Sequence, residues 1–522
     1  MMSWTDHLVV APLILPLAAG AVLLLMSEQR HALKAALGVA STLGLVLLAL
    51  ALLLAADLPA TRVYALGGWP APYGIVLVAD RLSALMLLLA SVLALAALLF
   101  SLARWHRAGP RFHALFQFQL MGLNGAFLTG DLFNLFVFFE LLLAASYGLA
   151  LHGSGTLRVR ASLHYIAVNI AASLLFLIGA SLLYGITGTL SMADLALRIP
   201  AVPQADRALL EAGAAILGVA FLVKAGMWPL CFWLPPTYAA ASAPAAALFS
   251  ILSKVGVYAI LRVWLLFFGD GLGDPLGGGW RLAGGLVTLA FGRIGVLASQ
   301  DLARLAGFSV LASSGTLLAT IGVGSAAATG AALYYLVAST LGLGALFLLI
   351  ELVERGREPG ADILAVTAAA FLDTEEEPEP EEEVGVAIPA TMALLGLSFG
   401  ACALLLAGLP PLPGFVAKFA LLAALLAPDP VPAAAWMLLG LLSLSGLATL
   451  IAMGSAGIRI FWATQERAVP RVRAIEMAPV AALLLLCLAL TLQAGPAMRY
   501  LQDTAEALYA PRAYIEGVLP GR

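Results

Sequence analysis

The chain has 522 residues, of which 62% are hydrophobic and only 11% are charged. Soluble domains carry about 25% charged residues, so a soluble globular protein is excluded and an integral membrane protein is indicated. The net charge of −3 says little about partners: Asp373-Thr-Glu-Glu-Glu-Pro-Glu-Pro-Glu-Glu-Glu383 alone holds 8 of the 30 acidic residues, leaving 22 acidic against 27 basic.

Apolar stretches of about 20 residues span a hydrocarbon core of about 30 Å, and they recur from Leu8 to Gln493 with short gaps. The first lacks a basic start and an Ala-x-Ala cleavage site, so it reads as a retained span rather than a signal peptide. Fourteen spans are predicted, at 8–26, 33–56, 78–103, 113–130, 132–151, 162–185, 209–228, 239–268, 281–299, 303–323, 328–351, 388–427, 433–457 and 476–495. The stretch 388–427 is too long for one crossing. It contains Gly408-Leu-Pro-Pro-Leu-Pro-Gly414, which must break a helix, and is predicted to be one discontinuous span; two separate crossings are the alternative.

Arg30, Lys34, Arg104, Arg107, Arg111, Arg158, Arg160, Arg304, Arg459, Arg467, Arg471 and Arg473 fall on one side of the membrane if there are 14 spans. The positive-inside rule makes that side cytoplasmic and places both termini outside. Counting 388–427 twice would put the last basic loop on the wrong side. The acidic tract, within a linker at about 355–385, would then be cytoplasmic, and its composition predicts disorder. The transmembrane region is read as one domain, 1–495. The tail, 496–522, is predicted to lie at the interface as an amphipathic helix.

The chemistry must lie in the few charges at bilayer depth, where each costs about 2.5–3.5 kcal/mol or more. Glu140 lies in the middle of the otherwise uncharged Leu132–Tyr147, about 12–14 Å along its helix. Alone it could be a structural, permanently protonated carboxyl. Lys224 ends Ala214–Lys224, just before Pro229, Pro235 and Pro236, where broken helices free backbone groups for ions and water. Snorkelling to the interface is the other reading. A lysine keeps its charge beside a carboxylate and tends to lose it when isolated, so an opening and closing pair is a proton switch, and Glu140 is predicted to face Lys224. Lys254 lies at mid-depth among Ser242, Ser250, Ser253 and Tyr258, and Lys418 follows the Pro/Gly break at 408–414. His113 and His164 read as interfacial residues. Asp80 and Asp131 read as helix N-terminal acids, and Asp301 and Arg304 as caps. Trp69, Tyr73 and Trp264 read as an aromatic belt, and the phenylalanines at 133–139 as lipid or helix packing. Cys231, Cys402 and Cys487 support neither a disulfide framework nor a metal site, and no cofactor motif is seen.

Several of these segments form longer motifs. Asp131-Leu-Phe-Asn-Leu-Phe-Val-Phe-Phe-Glu-Leu-Leu-Leu-Ala-Ala-Ser-Tyr-Gly148 resembles the helix 5 signature of the D-type membrane component of Mrp cation/proton antiporters. Trp69–Asp80, Phe232-Trp-Leu-Pro235, Leu252–Arg262, Leu409–Lys418 and the acidic tract followed by Val384-Gly-Val-Ala-Ile-Pro389 are similar to the same component. The wider family includes antiporter-like subunits of respiratory complex I and membrane-bound hydrogenases. The resemblance implies an all-α polytopic fold of about 14 transmembrane helices, with two inverted five-helix repeats (helices 4–8 and 9–13) and broken helices 7 and 12. It implies a bacterial cell (inner) membrane, other antiporter subunits as partners, and a buried pair at Glu140 and Lys224 whose route continues through Lys254 and Lys418. The chain departs from many relatives at Phe308–Gly315 and Ser339–Leu348, which carry no His or Lys. The route there would depend on Ser313, Ser314, Thr316, Ser339, Thr340 and water.

The expected function is therefore proton translocation by Glu140, Lys224, Lys254 and Lys418 in a multi-subunit secondary antiporter. It would exchange protons for monovalent cations, sodium foremost, with no cofactor, metal or nucleic acid. A proton-pumping subunit of a complex I-like or hydrogenase complex is the first alternative, and a non-conducting structural subunit the second.

Overall fold

The computed structural model describes residues 6–57, 61–69, 73–268, 279–355, 390–462 and 471–520. The acidic tract lies outside them. The helices are α1 (Ala11–Leu25), α2 (His31–Ala56), α3 (Arg81–Ser101), α4 (Phe112–Leu128), α5 (Leu132–Leu151), α6 (Thr156–Thr187), α7 (Met192–Arg198), α8 (Gln204–Ala225), α9 (Leu234–Ala240), α10 (Ala243–Phe249), α11 (Leu252–Ala259) and α12 (Leu265–Phe268). They continue as α13 (Trp280–Ala298), α14 (Leu302–Gly322), α15 (Ala326–Glu354), α16 (Ala390–Ala407), α17 (Pro413–Leu426), α18 (Ala433–Gly457), α19 (Ala474–Leu492), α20 (Ala494–Tyr509) and α21 (Arg512–Val518). A π-helical turn, Ile260–Trp264, joins α11 to α12, so α10 to α12 form one span. Among the described residues, 12 helices are long and apolar enough to cross a membrane, making this a helical polytopic membrane protein.

Burial sorts these helices into centre and periphery. The span Ala243–Phe268 is 94% buried and α14 and α15 are each 89% buried, against 33% for α2 and α19. The peripheral helices expose leucines such as Leu47, Leu54 and Leu485, as lipid contact requires. The interior helices instead carry serines and threonines that hydrogen-bond back to their own turns, as Thr316 does to Ala312 and Thr320 to Thr316. That polar lining is where Lys254 sits.

Helix starts follow their caps. Asp80 accepts from the Ser83 amide at 2.9 Å and Ser83 Oγ accepts from the Asp80 amide at 2.9 Å, a reciprocal capping box on α3. Asp131 accepts from the Asn134 amide at 2.8 Å and Asp301 from the Ala303 amide at 3.1 Å, capping α5 and α14. Of the residues expected in the aromatic belt, Trp69 and Tyr73 are exposed and Trp264 is not. That indole is buried and packs on Phe268 and Trp280 at 4.9 and 5.4 Å between centroids. The phenylalanine run divides by face, with Phe133 outward and Phe138 and Phe139 inward.

His7 and Ala513, near the two ends of the described chain, meet the same hairpin. In it β1 (Arg62–Ala65) and β2 (Val76–Ala79) pair antiparallel, with Arg62 opposite Ala79. His7 meets Tyr64 and Thr61 Oγ1 donates to the Ala513 carbonyl. The tail is helical, and the apolar face of α20, with Leu501, Ala505 and Leu508, is buried in the protein. Tyr500 Oη donates to the Arg81 carbonyl at 3.1 Å.

Asp80 has a second partner. Arg262, on the π-helical turn, donates to both its carboxylate oxygens at 2.7 and 2.6 Å and lies between the rings of Tyr258 and Tyr514. Removing one member of a buried pair costs about 3–5 kcal/mol. Asp80 keeps 20% side-chain exposure, so Asp80→Asn is expected at the low end, about 3 kcal/mol, measured as a lower thermal midpoint. Burial pushes the Asp80 carboxyl up, but Arg262 and Ser83 outweigh it and hold it below the usual carboxylate range. Its stabilisation is therefore full above the unfolded value of about 3.9 and is lost as pH falls through the lower folded value.

Candidate functional site

The backbone breaks twice at lysines, in the same way. The α8 helix stops at Ala225 and the chain turns through Gly226, whose φ is +73°. The amide of Met227 then donates back to the Leu222 carbonyl at 3.0 Å. The α16 helix stops at Ala407 and the chain turns through Gly408, φ +75°, with the Leu409 amide donating to the Leu404 carbonyl at 2.9 Å. A left-handed residue followed by a six-to-one hydrogen bond is the helix-ending motif that glycine favours. Prolines at 229 and at 410–411 stop each helix from resuming. A freed carbonyl at the first break, that of Val223, accepts from Trp233 Nε1 at 3.2 Å. Both breaks leave a helix C-terminus, the end that favours a cation.

Lys224 occupies the last turn of α8. It is 7% exposed and its Nζ has no hydrogen-bond partner, which rules out snorkelling. Glu140 on α5 is the carboxylate whose field acts on it. No ion pair within 4.0 Å joins the two groups in this arrangement. The Glu140 carboxylate instead accepts from Ser173 Oγ on α6. The ammonium lies 4.9 Å from the Phe139 ring centroid, a π face that attracts a desolvated cation. Beside it is a cavity of about 20 Å³ lined by Phe139, Tyr165, Asn169, Lys224, Trp233 and Leu252, among others. That volume holds about one water. Lys224 thus has room for about one water on its own side, and Glu140 does not line that space.

Lys254 is fully buried, at 0% exposure. Its Nζ donates to Ser253 Oγ at 3.3 Å and Ser314 Oγ at 3.4 Å, and no carboxylate pairs with it among the described residues. The two lysines approach through backbone contact. A Cβ on Gly256 would lie 2.7 Å from the Lys224 carbonyl carbon, so glycine lets α11 press against the end of α8. Leu252 and Val255, which flank Lys254, line the cavity beside Lys224.

Lys418, on α17, turns back across the second break and donates to the Ala407 carbonyl at 2.6 Å. Of the hydroxyls expected between Lys254 and Lys418, Ser314 meets Lys254 and Ser313 donates to Ser339 at 3.0 Å. Thr340 Oγ1 is buried without a partner, whereas Thr316 bonds its own helix. The sequence reading missed Arg293, in the C-terminal half of α13 and 6% exposed. Its place in an apolar span was the same signal that drew attention to Lys254. It also missed Phe139, Asn169 and Ser173, which carry no charge to announce them. His164 is exposed, while His113 is buried, with its ring 5.6 Å from that of His106. Among the described residues no group of three or more His, Cys, Asp or Glu could hold a metal.

Three ammonium groups lie near helix breaks, Lys224 and Lys254 buried and Lys418 part-buried, each with hydroxyl, carbonyl or π partners rather than a bonded carboxylate. Such groups can take up and release protons while the backbone stays in place.

The chain shares features with known proteins. Residues 129–447 match the family model described as NADH:quinone oxidoreductase/Mrp antiporter, transmembrane. The sequence is 60% identical to a probable K⁺/H⁺ antiporter component, the D-type one, of Rhizobium meliloti, over 99% of this chain and 98% of that protein. It is 35% identical to the D-type component of the Na⁺/H⁺ antiporter of Alkalihalophilus pseudofirmus, over 98% and 99%. The fold is similar to a chain of the Mrp complex from Dietzia sp., with a TM-score of 0.83 and 26% identity, covering 99% of this chain and 100% of that one.

Proposed function

Because this chain belongs to the NADH:quinone oxidoreductase/Mrp antiporter family, as a membrane subunit that works with others and a transporter rather than an enzyme, we propose that it carries the proton route of a monovalent cation/proton antiporter. The observation that carries this reading is the set of three ammonium groups near helix breaks, two of them buried, with no bonded carboxylate. Glu140 and Lys224 form the switch, Lys254 relays and Lys418 gates. In this state Glu140 is held by Ser173 and Lys224 by the Phe139 ring; a swing of either side chain closes the pair. An inward proton supplies about 2.3 kcal/mol per 100 mV, enough to drive an unfavourable step along the row.

The finer architecture belongs to the same reading. Adding α1 and α4 to the 12 long helices, and counting α16 with α17 as one broken crossing, gives 14 spans. An even number accords with His7 and Ala513 meeting the same hairpin. The matching Gly-ended breaks support an inverted repeat of helices 4–8 and 9–13, broken at helices 7 and 12. Residues 1–495 are one transmembrane domain with an acidic cytoplasmic linker at about 355–385, and 496–522 form an extracytoplasmic tail in a bacterial cell membrane.

For the cation, the name of the 60% identical relative favours potassium over the sodium expected from sequence. The test is proton movement in vesicles bearing the whole complex, on addition of K⁺ or Na⁺. A response to K⁺ that exceeds the response to Na⁺ is expected, and the reverse order would restore sodium. No response to either, in vesicles containing all subunits, would defeat the antiporter reading in favour of a redox-driven complex.

A further inference from the structure

The weakest part of the row is the gap between Lys254 and Lys418, which no His or Lys fills. On the near side, Lys254 reaches Ser314 at 3.4 Å, and the adjacent Ser313 donates to Ser339 at 3.0 Å. Ser313 and Ser339 line a cavity of about 10 Å³, closed by Arg293 and Tyr335, close to the space one water needs. On the far side, Arg293 Nη1 donates to Thr449 Oγ1 on α18. Thr449 lies one helical turn from Gly446, where a Cβ would be 3.0 Å from Lys418 Nζ. The guanidinium thus shares a cavity with Ser313 and Ser339 and bonds Thr449, one turn from the glycine that lies against Lys418.

We propose that Arg293 is the positioning residue that spans this gap, a fixed cation that orders the hydroxyl and water path from Ser339 to Lys418 and lets protons pass without itself titrating. Three observations support it. First, no carboxylate pairs with Arg293 among the described residues, and its Nε is buried without a hydrogen-bond partner, so it is not a structural ion pair. A buried charge left that way is costly and calls for a use. Second, arginine does not release its proton in proteins, so it cannot be a relay like Lys254. It can only donate, which fixes water and hydroxyl oxygens toward it and leaves their protons free to move along the path. Third, the groups that face it are few: Lys418 and Tyr335 are the charged or titratable ones, and Ser309, Ser313, Ser339 and Thr449 are neutral.

This inference rests on the proposed function and deepens it. The test measures exchange by the whole complex in vesicles, for Arg293→Gln, Arg293→Lys and Thr449→Val, with Glu140→Gln as reference. Arg293→Gln is expected to lower turnover about tenfold or more, as loss of a positioned donor does, with the apparent KM for the cation unchanged. Arg293→Lys keeps a cation and a donor and is expected to recover most of the turnover. Thr449→Val is expected to be slowed less than Arg293→Gln. Turnover by Arg293→Gln close to that of the parent, failure of Arg293→Lys to recover it, or a raised KM would each overturn the proposal. If Arg293→Gln does not assemble, Thr449→Val decides: slowed turnover at unchanged KM supports it and parental turnover overturns it. If Glu140→Gln itself exchanges normally, the proposed function fails whatever Arg293 does. If Glu140→Gln is dead and the Arg293 and Thr449 variants are normal, only this inference fails.

Discussion

Glu140→Gln is expected to abolish cation/proton exchange in the assembled complex while leaving the fold intact. Glutamine keeps the volume of the side chain and an oxygen to accept from Ser173 Oγ, so the contact of α5 with α6 should survive. What it removes is the carboxylate whose field acts on Lys224. The ammonium would then have only the Phe139 ring and a cavity for about one water. An ammonium that gains no stabilisation from a partner cannot be switched by that partner's movement, so the two protonation states would no longer alternate. Removing a general acid–base group of this kind typically costs about 10²–10⁴-fold, which in vesicles is loss of signal. The check is proton movement driven by a cation pulse, with subunit stoichiometry measured on the same membranes. Normal exchange by an assembled Glu140→Gln complex would return Glu140 to a structural carboxyl. Loss of both assembly and exchange would leave Lys224→Ala to decide, because that residue has no hydrogen bond to lose.

The fold was legible in the sequence wherever one residue's solvation decided the outcome. Apolar runs had to span lipid, and the Pro/Gly cluster at 408–414 had to break a helix. Asp80, Asp131 and Asp301 had to begin helices, because a carboxylate there meets free amides. Lys224, Lys254 and Lys418 announced themselves by the same cost in reverse. What stayed hidden depends on pairing across long separations. Arg262 and Asp80 lie 182 residues apart, so Asp80 looked only like a residue at a span end and Arg262 gave no sign of pairing with it. Trp264 looked like a belt residue for the same reason, until packing on Trp280 covered it. That Glu140 faces Lys224 was expected from charge alone, but charge cannot say that Phe139, one residue earlier, presents its ring to the ammonium. Likewise α20 was legible as amphipathic, yet only the tertiary structure shows that Leu501 and Leu508 are covered by protein.

Lys254→Met is expected to abolish exchange and, at the same time, to raise the thermal midpoint of the complex. The two effects follow from one environment. Lys254 is wholly buried in the most enclosed span of the protein, and its ammonium finds only Ser253 and Ser314 at hydrogen-bond limits of 3.3 and 3.4 Å. Burying an ion costs several kcal/mol even after relaxation, and two long hydrogen bonds to neutral hydroxyls do not offset that. Methionine fills similar space with a flexible apolar chain, so the substitution removes the penalty without opening a cavity. A gain of about 0.5–2 kcal/mol is of the size such relief gives. A residue kept for structure would behave in the opposite way, its loss lowering stability first and activity as a consequence. Measuring thermal midpoint and exchange on the same preparation therefore separates the two roles. A lower midpoint with lost exchange would make Lys254 a structural group, and a higher midpoint with intact exchange would take it out of the proton route. A higher midpoint with lost exchange would mean that the protein sacrifices stability to keep a charge at its centre, the condition under which a buried lysine is there to move protons.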